Sequence, residues 1–328
     1  MLPWKHAQKF IEYQKLLECV YLADFGRAPL CSIVRLAYTF ESNGCSIVLH
    51  DGSDQRGSMA NQTVQDGLAA LSPAHQAELL QAKRLLEHPG YVAKVSDLIG
   101  MPLEAAVKAL PAAWTKGITT VTTASLTKCL NVANATLWPA ARSAHPKLHS
   151  VATAFTGALG GVFGFAGLAV ELPVSTVIML RSIADIGRAN GENLGGSETQ
   201  LACLMVFSLG GKTRGDDASE SGYYATRIAL AKAMSEATLY LSQQGVAREG
   251  APALVRLIAQ IAAKFNVQVS QKAAAMMVPI LGAAGGALVN TLFIHHFQDM
   301  ARGHFTVRRL ERVYGAQVVG AAYRALVI

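Results

Sequence analysis

After Met59, apolar residues recur every three to four positions, and short polar or proline-containing breaks cut the pattern into helix-length runs. Ser72-Pro73 supplies an N-cap followed by proline at the first helical position. The stretch AHQAELLQAKRLLEH then predicts a surface helix ending near His88, where Pro89-Gly90 stops it. YVAKVSDLIG predicts a short amphipathic helix closed by Gly100, and Pro102 and Pro111 each start another. Further along, Ser197 with Gln200 reads as a capping box before LACLMVFSL, with Gly210-Gly211 as its stop. Amphipathic helices are predicted at about 218–244 and 251–265. Residues 1–58 lack the helical period. They read as an N-terminal extension, either a small appendage or the product of a start upstream of a true one at Met59, and the second is the preferred expectation. Residues 59–328 then form a single helical domain.

Two segments break the amphipathic pattern because they carry no charge at all. The first is Val151–Val170, VATAFTGALGGVFGFAGLAV. As a helix it would be about 30 Å long, close to the hydrocarbon thickness of a bilayer. Its glycines, Gly157, Gly160, Gly161, Gly164 and Gly167, fall three or four apart and strip one face for close helix packing. Pro173 predicts a kink or break directly after it. The second segment is Ala273–Ile294, AAAMMVPILGAAGGALVNTLFI, with Gly282 and Gly286 at the same close-approach spacing. Gly303 is expected to break the chain beyond it, with Thr306 capping a basic amphipathic C-terminal helix. An acid and an arginine three apart follow each segment, Asp185 with Arg188 and Asp299 with Arg302, which raises the question of an internal duplication. The expected fold is all-α, a multi-helix bundle with the two glycine-rich apolar helices at its centre.

Composition sharpens this picture without settling the solvent. Hydrophobic residues make up 51% of the 328, charged residues 16% and aromatics 7%, with a mean hydropathy of +0.28. That is high for a soluble protein and low for a polytopic transporter, so partial burial in lipid and an unusually apolar core both fit. The formal charge is +7. Five arginines, Arg302, Arg308, Arg309, Arg312 and Arg324, follow the second apolar segment with Glu311 as the single acid among them. A basic cluster beside an apolar segment favours anionic lipid headgroups over a duplex. Arg308, Arg309 and Arg312 are therefore the expected lipid or phosphate contacts, and no nucleic-acid partner is expected. Five cysteines without a C-x-x-C spacing read as reduced thiols. The N-terminus has no uninterrupted apolar run of a secretory signal, which favours the cytoplasmic side.

Ionisable residues beside membrane-length segments are costly to bury and so tend to pair or to function. Glu171, Arg181, Asp185, His295, His296, Asp299, Arg302 and His304 form the candidate polar cluster. Interhelical salt bridges are the plainer account of it. His295 and Asp299, at i and i+4, share one helical face with metal-ligand spacing, which Glu171 or His304 would complete if the helices brought them together. A polar network tying apolar helices is the commoner outcome, and no metal or other cofactor is assigned. Leu209-Gly210-Gly211-Lys212-Thr213 lacks the first glycine of a phosphate-binding loop, and no hydrolase or dehydrogenase motif is present.

The segments AKRLLEHPGYVAKVSDLIGMPLE, ELPVSTVIMLRSIADIGRANGE and HHFQDMARGHFTVRRLERVYG together resemble the EcsC family, over about residues 78–326. The resemblance implies a helical bacterial protein with a membrane-protein partner such as an ABC transporter. It carries no catalytic residue over. Three functions are expected in order. The first is a membrane-associated accessory protein, peripheral or partly inserted from the cytoplasmic side. The second is a metal-assisted enzyme acting on a membrane-derived substrate. The third is a soluble helical protein with a buried glycine-rich hairpin.

Overall fold

The computed structural model describes residues 67–136, 146–211, 222–244, 250–278 and 282–328, with the backbone path alone at 132–136, 146–166 and 282–284. All of these lie in one compact unit, Met59–Ile328. Residues 1–58, and the reading of them as an extension, lie outside the described residues.

Among the described residues every regular element is helical: α1 Pro73–Glu87, α2 Tyr91–Ile99, α3 Leu103–Lys108, α4 Ala112–Thr136, α5 Pro146–Ala189, α6 Ser197–Met205, a 3-10 turn at Val206–Ser208, α7 Gly222–Gln244, α8 Pro252–Met276, α9 Gly282–Tyr314 and α10 Ala316–Ala325. Local chemistry accounts for most boundaries. The Ser72 side chain accepts from the His75 N–H at 3.3 Å, capping α1 with Pro73 at its first position. Gly100, at φ +68, closes α2 in the left-handed conformation that glycine adopts without steric cost.

The centre of the bundle is α5 against α9, which pack along each other more extensively than any other pair. Ser182 meets Gln298, Gly187 meets Phe305, and the Asn190 carbonyl meets Arg312. Partner numbers rise together, so the two glycine-rich helices run parallel. α4 packs beside α5, in contact where the Cys129 thiol faces the Thr176 carbonyl. The core they share is aliphatic and phenylalanine-rich, with Phe265 and Phe297 each in ring contact with the other and with both Phe207 and Phe293, all four fully buried. Cys129 and Cys203 are buried free thiols.

Three sequence expectations need correction. α5 does not break at Pro173 but continues through it for 44 residues, about 66 Å of helix. Pro173 and Ala169, whose carbonyl loses its helical donor, both lie on a partly exposed flank, and the Ser175 and Thr176 hydroxyls both donate to the Leu172 carbonyl, at 3.2 and 2.6 Å. One missing bond on a partly exposed flank is compatible with a continuous helix. Likewise α9 continues through Gly303, so Thr306 is an interior residue. A Cβ at 303 would lie 2.6 Å from Leu86 Cγ and 3.1 Å from the Ala82 carbonyl. Gly303 therefore serves the close crossing of α1 over α9, and the break falls at Gly315, where φ is +87. Lastly, Gly196 is the N-cap of α6 and Ser197 is already helical, so no capping box forms. The second apolar segment is divided between the end of α8 and the start of α9, and Pro279 lies outside the described residues.

Candidate functional site

The predicted polar cluster does not converge on one point. It is distributed along α5 and α9 as separate layers, each completed by residues from other helices.

The layer nearest the glycine-rich end is an ion pair. Glu171 of α5, 4% exposed, accepts at 2.7 Å from Lys272 of α8, whose side chain is fully buried. The Lys272 ammonium also donates to Asn290 Oδ1 of α9 at 2.7 Å and lies 4.8 Å from the centre of the Phe293 ring. Glu171 Oε1 is buried without a hydrogen-bond partner. About three to four turns further along α5, Ser182 accepts from the Gln298 amide at 2.9 Å, and Asp185 pairs with Arg188 at 3.4 Å. Arg181 and Asp185 lie half-buried on the same face of α5, and each has an interaction partner.

His296 faces the core from α9. Its ring lies 5.1 Å from that of Tyr91, and Cε1 and Nε2 pack under Gly210, where a Cβ would come within 2.5 to 2.8 Å of them. Burial pushes its pKa down to about 4, so the imidazole is neutral at physiological pH. His295 is exposed one residue earlier, and Asp299 pairs with Arg302 at 2.6 Å on the surface.

His304 belongs to a third environment. Its Nδ1 lies 3.0 Å from the Tyr223 hydroxyl. Burial, and then the charges of Arg308 and Arg227, hold its pKa well below the ordinary value. Around it, Arg227 binds the Glu311 carboxylate with both guanidinium nitrogens at 2.6 and 3.0 Å, in contact with the Tyr223 and Tyr224 rings. Glu87, at the end of α1, caps α7 from outside by accepting from the Gly222 and Tyr223 N–H groups at 3.1 and 3.2 Å, and it also accepts from Tyr323 of α10. These contacts tie α1, α7, α9 and α10 together.

Arg308, Arg309 and Arg312 are engaged within the protein, whereas Arg324 is exposed. Glu192, between α5 and α6, accepts from Arg308 at 2.9 and 3.2 Å, from Arg312, and from Thr199 at 3.0 Å. Burial pushes this carboxyl up, but the hydrogen bonds and charge of Arg308, with Arg312 and Thr199, outweigh it and hold the pKa below the ordinary value. Arg308 also reaches Glu198 at 3.1 Å, and Arg309 pairs with Glu78 at 2.5 Å.

Glu171, His296, Asp299 and His304 thus sit in four different surroundings. Among the described residues no three His, Cys, Asp or Glu side chains converge as metal ligands would, so these four do not share one ion. Sequence reasoning missed Lys272, Glu192 and Tyr91. Lys272 carried a usable signal: it is the last charge before the second uncharged segment, as Glu171 is the first after the other.

Neither a curated protein nor a solved structure matches the chain. The model of the EcsC protein family matches residues 75–310, a stretch that runs from α1 through the clusters on α5 and most of α9. The chain belongs to the EcsC protein family.

Proposed function

We propose that this protein is a membrane-associated helical accessory protein, bound from the cytoplasmic side, whose glycine-rich end enters the bilayer. The observation that carries the reading is the charge boundary at Glu171–Lys272. Beyond it, Val151–Val170 of α5, about 30 Å of helix, and Ala273–Val289, which spans the end of α8 and the start of α9, contain no charged residue. At the boundary, Val170 is 74% exposed, Val174 44% and Leu288 47%. The parallel register of α5 and α9 sets these three at the same level, which supports an apolar collar where the bundle would meet lipid.

Headgroup contact by the C-terminal arginines is a smaller part of this reading than their sequence position implies. Arg309 and Arg312 keep 35% and 41% of their side chains exposed, but both already bind carboxylates. A membrane-protein partner such as an ABC transporter would meet the same end of the bundle.

A second reading, a water-soluble bundle with a glycine-rich core, draws on Gly167–Ala189. It is the one helix among the described residues that is long and apolar enough to cross a membrane, yet 56% of its most apolar window is buried inside the protein. Flotation of the full chain with phosphatidylcholine vesicles, followed by high-salt and alkaline carbonate washes, separates the two. Retention through both washes is expected for insertion. Recovery as a monomer in the aqueous fraction would refute it.

A further inference from the structure

We infer that α5 crosses the whole bilayer and carries Lys147 to the headgroups of the far leaflet, while α8 and α9 end inside the near one. The inference rests on the proposed membrane reading and adds to it a depth for each helix.

The Glu171–Lys272–Asn290 layer supplies a common level, because one ammonium reaches both of the others at 2.7 Å. From that level the three helices extend by different amounts toward the glycine-rich end. α8 runs opposite to α9, with Lys272 against Asn290 and Phe265 against Phe297. It ends at Met276, about 6 Å past Lys272. α9 begins at Gly282, about 12 Å before Asn290. Neither length crosses hydrocarbon about 30 Å thick. α5 runs on unbroken to Pro146, and the first charged residue met on the way from Glu171 is Lys147, about 36 Å distant along the helix. With Glu171 at the near edge of the hydrocarbon, Lys147 stands about 6 Å outside the far edge, at headgroup depth.

The chemistry along that length suits lipid rather than water. Val151–Val170 holds no ionisable residue, and polar residues flank it at both ends, with Lys147, His149 and Ser150 before it and Glu171 after it. Five glycines lie between Gly157 and Gly167 inclusive, and each costs about 1 kcal/mol relative to alanine in a hydrated helix. Hydrocarbon removes the competing coil, because a backbone group without an internal partner finds no water there, so the helix is the form that survives. The stretch that follows, Gly167–Ala189, is by contrast a core helix, with more than half of its most apolar window buried within the bundle. α5 therefore has one half matched to a protein core and one matched to a bilayer, joined at the buried ion pair.

The test locates the far end by its reactivity. The full chain is expressed in a bacterial host as Lys147→Cys, as His149→Cys, which keeps the lysine, and as Lys94→Cys, whose position is exposed on α2. A membrane-impermeant maleimide is applied to intact spheroplasts, to inside-out membrane vesicles and to detergent extracts, with the wild-type chain as the blank for its own cysteines. Lys147→Cys and His149→Cys are expected to label in spheroplasts as fully as in detergent and to lose that labelling in inside-out vesicles. Lys94→Cys is expected to do the reverse. Carbonate-resistant membrane retention with both far-end cysteines labelled from the cytoplasmic face, or only in detergent, would overturn the crossing and leave the membrane reading standing. Recovery of the wild-type chain in the soluble fraction would overturn both.

Discussion

Replacing Lys272 by Met isolates the energetics of the layer that divides the bundle. The Glu171–Lys272 contact is 2.7 Å long, with side-chain exposures of 3% and 0%. At an effective dielectric constant near 20, that separation corresponds to about 6 kcal/mol of attraction. The charge-assisted bond to Asn290 adds about 1.5 to 3 kcal/mol. Against these stand several kcal/mol of desolvation for each ion, so the intact pair contributes little net stability. Lys272→Met removes the attraction and leaves the desolvation of Glu171, whose Oε1 already lacks a partner. The expected cost is about 3 to 5 kcal/mol, a large share of a typical domain's stability. Glu171→Gln should cost less, because the amide oxygen still accepts from the ammonium. The double variant Glu171→Gln, Lys272→Met carries no buried charge and should return to within about 1 kcal/mol of the wild type. Urea unfolding followed by far-UV circular dichroism, in one buffer or detergent for all four proteins, reads these differences. A cost below about 1 kcal/mol for Lys272→Met, or no recovery in the double variant, would refute a sealed ion pair at this level.

Three further outcomes follow from other layers. His296 has a folded pKa of about 4 against an ordinary value of 6.5. The unfolded chain therefore gains a proton that the folded one excludes, and stability should fall by roughly 3 kcal/mol as pH drops from 6.5 to 4. His304 and Glu192, also shifted down, act in the same direction; His296→Gln should flatten the pH dependence of unfolding by about one proton over that window, and an unchanged slope would exclude His296 as its source. Gly303→Ala should cost about 1 to 3 kcal/mol in denaturant unfolding, because its methyl group would meet Leu86 and the Ala82 carbonyl. Glu192→Gln weakens the charged bonds that Arg308 and Arg312 make to one carboxylate, and a loss of about 2 kcal/mol is expected, with little change if these bonds are dispensable.

Much of the fold was legible because helix signals are local. Ser72-Pro73, Gly100 and the prolines at 102 and 111 act on neighbours within one turn, and the helices begin or end beside them. The errors occurred where a local breaker met a tertiary contact. Pro173 and Gly303 both read as interruptions, yet one lies on a tolerant flank of a helix held on its other side by α9, and the other makes room for α1. Propensity gives the local cost of such residues, but packing of the rest of the helix decides whether that cost breaks it.

The site was less legible, because charge is neutralised at long range. Arg308 and Arg309 look like an unopposed basic face when only their own helix is read. Their carboxylates come from 110 to 231 residues away, in Glu192, Glu198 and Glu78. The same holds for Glu171, whose partner Lys272 lies 101 residues downstream on a helix expected to end before it. A basic cluster in sequence is thus a statement about supply, and only the fold shows which cations remain after internal pairing. Lys94 was unremarked in a short amphipathic helix with no cluster around it, yet it sits without an acid over an uncapped helix N-terminus.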